Sequence, residues 1–130
     1  MIILTLRTDK PEAEIGLYDD KKQLAYVTWQ AHRALAETLH SQIDKLLSDN
    51  QLSWSQIQGI VAYKGPGSFT GLRIGLSVAN SLAYSLKIPI VSNKAEDWLN
   101  AGLDRLSNGA NETVVLPEYG AAAHITLPRK

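Results

Sequence analysis

The stretch KGPGSFTGLRIG, from Lys64 to Gly75, holds the residue types and spacing that could bind a charged group. Glycines free the backbone to adopt positive φ, and a loop between a strand and a helix turns N–H groups and the helix dipole toward an anion. Neither phosphate motif fits, since the Walker sequence needs a lysine after its second glycine and the dinucleotide fingerprint needs G-x-G-x-x-G. We therefore favour a tight turn (Gly65, Pro66, Gly67, Ser68) with Ser68 or Thr70 as the helix cap.

Other groups that could do chemistry are scattered. His32 and His40 are spaced loosely for metal ligands, and His124 lies in the tail. Ser68 has no neighbouring His or Asp to activate it and is not in a G-x-S-x-G elbow. The chain has no cysteine, which excludes a disulfide scaffold, a thiolate metal site and a Cys nucleophile. We expect no catalytic residue, no metal and no cofactor.

Composition restricts the class of protein further. The chain has 130 residues, enough for one compact domain, with 13 basic and 13 acidic residues. Because the charges balance, we expect no direct contact with a nucleic acid backbone. The apolar start MIILTL is too short for a signal peptide and no run is long enough to span a membrane, so we expect a cytoplasmic protein.

The loop is positioned by elements that hydrophobic periodicity predicts. The first three strands, expected to form an antiparallel meander, are Ile2 to Leu6, Ala13 to Tyr18 and Gln23 to Trp29. They are followed by a helix at Ala31 to Ser48, a strand at Gly59 to Tyr63, a helix from Phe69 or Thr70 to about Leu86, and a strand at Ile88 to Val91. A third helix, capped by Ser92 or Asn93, runs through Leu106, and Thr113 to Leu116 could form one last strand.

The order βββαβαβα predicts an α/β fold with a mixed sheet and helices packed on it. It is the layout of the RNase H-like half-domain found in the actin-like ATPase superfamily of actin, Hsp70 and sugar kinases, which is an analogy of fold alone. We expect residues 1–107 to form this lobe and residues 108–130 a short C-terminal extension or tail.

The helix after the loop carries small residues at four-residue spacing, which places them along one face. They are Gly71, Gly75, Ala79 and Ala83. Since glycine costs a helix roughly 1 kcal/mol relative to alanine, their presence indicates that something packs closely on this face. The partner is either the first helix of this chain or a helix of another subunit, and the pattern does not decide between them.

The sequence GPGSFTGLRIGL, between GIVAY and ANSLAYSLKIPIV, resembles the signature of the TsaB family, also called YeaZ. This resemblance, over about residues 1 to 106, implies a non-catalytic scaffold with the actin-like fold, which supports a TsaD catalytic subunit in making threonylcarbamoyladenosine beside the tRNA anticodon. It also implies a TsaE-like ATPase as a further partner, a second copy of the chain as an alternative one, and only indirect contact with tRNA.

The resemblance implies that the helix pair forms the contact with the partner. The residues expected there are Leu35, Leu39, Ile43, Phe69, Gly71, Leu72, Gly75, Ala79 and Ala83. Two departures from the family pattern are Arg7, where an Asp is expected, and the absence of a second lobe. The alternatives are a metallopeptidase-like glycoprotease, which lacks the usual His pair on a helix, and a nucleotide-binding half-domain, against which Arg7 counts.

Overall fold

The computed structural model describes residues 1–119, which fold into one five-stranded sheet with helices on both faces. In chain order the strands are β1 (Ile2–Arg7), β2 (Glu12–Asp19), β3 (Lys22–Gln30), β4 (Gly59–Gly65) and β5 (Ile90–Lys94). The helices are α1 (Leu35–Asp49), α2 (Phe69–Leu86) and α3 (Trp98–Ser107), with short 3₁₀ turns at His32–Ala34 and Trp54–Gln56. None of the helices in these residues is both long and apolar enough to cross a membrane.

The strand order in the sheet is β3-β2-β1-β4-β5. The predicted meander is confirmed, since β1 pairs antiparallel with β2, and β2 with β3. β4 lies parallel to both β1 and β5, as expected for strands joined through helices. The mixed sheet predicted from the element order is therefore present. β1 and β4 are neighbouring inner strands with helices packed on both faces of the sheet, so both are buried almost throughout.

The two faces of the sheet have separate apolar cores. On one face, Leu4 and Leu6 of β1 pack with buried side chains of α1 and α2 such as Leu39, Ile43 and Leu76. On the other face, Ile3 and Val61 pack with α3. Alternate side chains of a strand point to opposite faces, so the continuous apolar run in β1 serves both cores.

Three predictions near the C-terminus were wrong in their boundaries or type. Ser92 and Asn93 do not cap the third helix, because both lie in β5, paired with Ala62 and Tyr63 of β4. That helix begins at Trp98, with Asp97 at its N-cap. β5 likewise begins at Ile90 and runs to Lys94, later than predicted.

The predicted strand at Thr113 to Leu116 does not form. Thr113 has φ of +69°, a left-handed conformation that interrupts an extended strand. The backbone of Val115 is bonded instead to the side chain of Asn80, in α2, at 2.8 and 2.9 Å. The predicted tail continues through residues 120–130, which lie outside the described residues.

Residues 108–119 lie against the lobe. The Glu112 carboxylate accepts hydrogen bonds from the N–H and the hydroxyl of Ser92 at 2.7 and 2.9 Å, and pairs with Arg105 at 2.8 Å. The Ile90 N–H donates to the Asn111 side chain at 3.1 Å. These contacts satisfy N–H groups on the outer edge of β5, which would otherwise be open to another strand.

Candidate protein interface

The glycine loop makes a tight connection between β4 and α2. The predicted Ser68 cap is confirmed, because its hydroxyl accepts a hydrogen bond from the Gly71 N–H at 3.4 Å. Gly65 has φ of +130°, a conformation that favours glycine, and a Cβ there would collide with the backbone of Glu118. The local sequence is therefore explained by turning and close packing of backbone.

The turn after β1 packs directly on this loop. The Ser68 N–H donates to the Asp9 backbone oxygen at 3.1 Å, and a Cβ at Gly67 would collide with the Asp9 side chain. One N–H group that could face an anion is therefore bonded to the protein itself. The close approach explains why position 67 has no side chain.

Arg7 and Asp9 form a largely buried ion pair beside the loop. The Arg7 Nε lies 2.8 Å from the Asp9 carboxylate, with side-chain exposures of 13% and 7%. The Arg7 guanidinium also lies 3.9 Å above the centre of the Tyr63 ring, a cation–π geometry. The cation expected to oppose a metal-nucleotide site thus has both an anionic and an aromatic partner within the chain.

The pKa values of this cluster follow from burial and charge. Burial lowers the pKa of the Arg7 guanidinium, but hydrogen bonding to Asp9 opposes it and the net pKa is raised. Burial raises the pKa of the Tyr63 hydroxyl, with the charge of Arg7 acting in the opposite direction. Arg7 is therefore a permanent cation and Tyr63 a neutral hydrogen-bond donor, which bonds to the Pro66 oxygen at 2.7 Å.

The strip of small residues on α2 faces inward. Gly71 and Gly75 lie against Thr8, whose hydroxyl donates to the Gly71 oxygen at 2.8 Å. Ala79 and Ala83 are in the core with α1. The strip thus packs on the end of β1 as well as on the first helix, a contact that the sequence pattern did not indicate.

Most of the residues expected at the partner contact are interior. Those buried within this chain are Leu35, Leu39, Ile43, Leu72, Gly75, Ala79 and Ala83. Gly71 is half-buried, and Phe69 is 55% exposed. A protein docking on this helix pair would contact Phe69 and other exposed residues of the two helices. The buried residues determine how the two helices pack against each other.

A groove of about 840 Å³ runs along the outer side of α2. Its walls are α2, the start of α1 and the segment Val115 to Tyr119. The lining residues are Ala36, Thr70, Arg73, Ile74, Leu76, Ser77, Val78, Asn80, Val115, Leu116, Pro117 and Tyr119. At its rim Phe69 packs on Tyr119, with ring centres 4.6 Å apart, and Leu116 is 69% exposed. An exposed apolar surface of this kind is typical of a protein contact.

Sequence reasoning missed this groove because its second wall comes from residues predicted as a tail. The only earlier signal was the apolar run VVL from Val114 to Leu116, which was interpreted as a strand. The sequence pattern also gives no signal for Arg73, Ile74 and Val78, because the small residues define a different face of α2.

Within residues 1–119 no three side chains of the metal-binding types lie together. His32 and His40 are both exposed, and His40 stacks on Trp54 at 4.7 Å. His124 lies outside the described residues.

Comparisons with known proteins point to one pathway. A sequence model of the family described as TsaD, tRNA N6-adenosine threonylcarbamoyltransferase, matches residues 27–94. A Bacillus subtilis protein named tRNA threonylcarbamoyladenosine biosynthesis protein TsaB is 35% identical over 102 residues, covering 78% of this chain and 44% of the relative. The chain thus spans less than half the length of this relative.

Solved structures agree with the fold. YeaZ from Pseudomonas aeruginosa superposes with a TM-score of 0.66 at 27% identity, covering 72% of this chain and 43% of that one. RuvC from Thermus thermophilus has a TM-score of 0.53 at 10% identity, covering 95% of this chain and 89% of its own, and it shows the fold alone. The RNase H-like, actin-like fold predicted from the element order is confirmed.

Proposed function

The chain belongs to the TsaB (YeaZ) family, and we propose that it is a non-catalytic subunit in the synthesis of threonylcarbamoyladenosine on tRNA. Its task is to bind and support a TsaD-like catalytic subunit through α2 and the start of α1. The observation that carries the proposal is the exposed apolar surface along α2, where Phe69 and Leu116 are 55% and 69% exposed. Apolar surface of this extent is stabilised by a protein partner.

The loop chemistry supports a scaffold role rather than a nucleotide site. The Ser68 N–H is bonded to Asp9, and Arg7 is paired with the same residue at 2.8 Å. The groups at the end of β1 thus contact one another and hold the start of α2. This use of the loop gives α2 a fixed position, which a docking helix requires.

The buried residues of the helix pair contribute indirectly to the partner surface. Close packing of Gly75 on Thr8 sets the distance between α2 and the sheet. Leu39 and Ile43 hold α1 against the same core. Partner affinity then depends on their packing, while direct contacts come from exposed positions.

Three further partners complete the proposal. A TsaE-like ATPase joins the assembly of this chain with the TsaD-like subunit. tRNA is contacted only indirectly, since the chain has 13 basic and 13 acidic residues. A second copy of this chain occupies the α2 surface when the TsaD-like subunit is absent.

The decisive experiment mixes the purified protein with the TsaD-like subunit of the same organism and determines mass by light scattering, alone and together. A one-to-one complex that displaces any homodimer is the expected result. A chain whose mass is indifferent to the TsaD-like subunit would contradict the proposal. A gel-shift assay with tRNA at physiological salt should show no binding by the chain alone.

A further inference from the structure

The outer edge of β5 is closed mainly by side chains and not by another strand. In a parallel pairing, alternate residues turn their backbone groups away from the neighbouring strand, and in β5 these residues include Ile90 and Ser92. The Ile90 N–H donates to the Asn111 side chain at 3.1 Å, and the Ile90 oxygen accepts from the Glu112 N–H at 2.8 Å. The Ser92 N–H donates to the Glu112 carboxylate at 2.7 Å, and the Ser92 oxygen accepts from Arg105 at 2.9 Å. The outward backbone groups of both residues therefore have partners.

The Glu112 carboxylate is the centre of this arrangement. Its Oε1 accepts from the Ser92 hydroxyl at 2.9 Å, and its Oε2 accepts from the Arg105 guanidinium at 2.8 Å as well as from the Ser92 N–H. Hydrogen bonds to a charged group are stronger than those between neutral groups. One side chain thus satisfies the edge of the strand and holds the guanidinium that satisfies the next backbone oxygen.

The chain turns away from β5 directly after Glu112. The Asn111 side-chain oxygen also accepts from the Thr113 N–H at 2.9 Å, and Thr113 has φ of +69°. The Val114 N–H donates to the Glu112 oxygen at 2.7 Å, which closes a tight turn. These contacts end the extended backbone at Glu112, so the segment covers the edge without presenting a new edge of its own.

β5 has the composition of a strand that pairs readily with another chain. Ile90 and Val91 are fully buried and β-branched, and the strand has neither a charged residue nor a proline before Lys94. Unpaired N–H and C=O groups on such an edge are a template for pairing with another strand. Proteins protect an edge by charges, by proline or by covering it, and in β5 the cover supplies the protection.

We propose that Asn111, Glu112 and Arg105 form an edge cover, which prevents β5 from pairing with β5 of a second copy of this chain. Without the edge cover, the two strands pair antiparallel about a two-fold axis and join the two sheets. A pairing centred on Ser92 sets Lys94 opposite the partner's Ile90, so like charges do not face each other. The proposal concerns the edge of the sheet and does not rest on the proposed function.

The test compares variants of the full chain by hydrogen exchange and by sedimentation velocity. Glu112→Ala removes the acceptor of the Ser92 N–H, so exchange of this amide at low protein concentration should become at least tenfold faster. As the concentration rises, the mass should exceed that of the wild type and the exchange should slow again, because pairing covers the edge. Glu12→Ala removes a carboxylate at an exposed position of β2 and should have neither effect.

A second variant tests the other outward amide. Asn111→Ala removes the acceptor of the Ile90 N–H, so exchange at Ile90 should become faster at low concentration and the mass should again rise with concentration. The amide of Val61, in the interior strand β4, should keep its protection in both variants. Circular dichroism establishes that each variant is folded.

Four results would overturn the proposal. Unchanged exchange at Ile90 and Ser92 in the folded variants would mean that other contacts protect the edge. Faster exchange with no added mass would mean that the open edge does not recruit a second copy. Added mass without a concentration dependence of the exchange would assign the association to another surface. If both variants fail to fold, the segment is part of the core and not a cover.

Discussion

Thr8 occupies the space that a side chain at position 75 would need. A Cβ on Gly75 would lie closer to the Thr8 hydroxyl and methyl groups than Cβ atoms come to other atoms in proteins. The same hydroxyl donates to the Gly71 oxygen, one turn earlier in α2, at 2.8 Å. Thr8, directly after β1, therefore packs on the backbone of α2, because positions 71 and 75 have no side chain.

Gly75→Ala should destabilise the fold. Helix propensity alone would favour alanine by about 1 kcal/mol, but the added methyl group overpacks the contact with Thr8 at a cost of about 1 to 3 kcal/mol. We expect a net loss in the free energy of unfolding, measured by urea denaturation. Ser81→Ala, an exposed position of the same helix, should have no comparable effect.

A double mutant checks the cause of this loss. Thr8→Ala removes the groups that the new Cβ meets, so Gly75→Ala should cost less in that background than in the wild type. If Gly75→Ala leaves stability unchanged and lowers only the affinity for a partner, the strip belongs to an intermolecular surface, as the sequence pattern also allowed.

The periodicity of the sequence was sufficient for most of the fold. Apolar and polar residues alternate along β2 and β3, and Leu35, Leu39 and Ile43 recur at helical spacing. Each pattern arises because one face of the element is buried, so these elements could be predicted. The start of α3 was wrong because Ser92 and Asn93 have the side chains of helix caps but lie in β5, where pairing with β4 decides their conformation. Local propensity does not contain that information.

The candidate site was less predictable than the fold. The spacing of Gly71 and Gly75 correctly indicated a close approach to α2, but it could not identify Thr8, which is more than 60 residues earlier in the chain. The groove depends on Val115 bonding to the Asn80 side chain, and a contact between a helix amide and an irregular segment leaves no periodic pattern.

Asp9→Asn should destabilise the protein by about 2 kcal/mol, because it removes the charge that pairs with the largely buried Arg7 guanidinium. The free energy of unfolding from urea denaturation measures this loss. The control is Asp49→Asn, which breaks the exposed Lys45 to Asp49 pair at the same 2.8 Å spacing and should cost about 0.5 kcal/mol or less. Equal losses in the free energy of unfolding would show that burial of the Arg7–Asp9 pair does not increase its contribution to stability.

Asn80→Ala should release the segment that forms the second groove wall. The Val115 N–H loses its acceptor at 2.8 Å, so its hydrogen exchange should become faster by at least tenfold while strand amides such as Val61 keep their protection. Exchange followed by nuclear magnetic resonance measures both rates in one sample. Unchanged exchange at Val115 would mean that other contacts hold the segment.

The link between Lys94 and Glu118 should make the end of this segment sensitive to acid. The hydrogen bond from the Lys94 ammonium, at 3.0 Å, lowers the pKa of the Glu118 carboxyl below its ordinary value. A carboxyl with a lowered folded pKa contributes stability above its unfolded pKa and loses this contribution as the pH falls through the folded pKa. The link should therefore persist at neutral pH and break in acid.

Titration of Glu118 by nuclear magnetic resonance should show the lowered pKa, and Lys94→Gln should raise this pKa. The control is Lys21→Gln, which affects the ion pair with Asp104 and should leave the pKa of Glu118 unchanged. A pKa that is insensitive to Lys94→Gln would contradict this assignment.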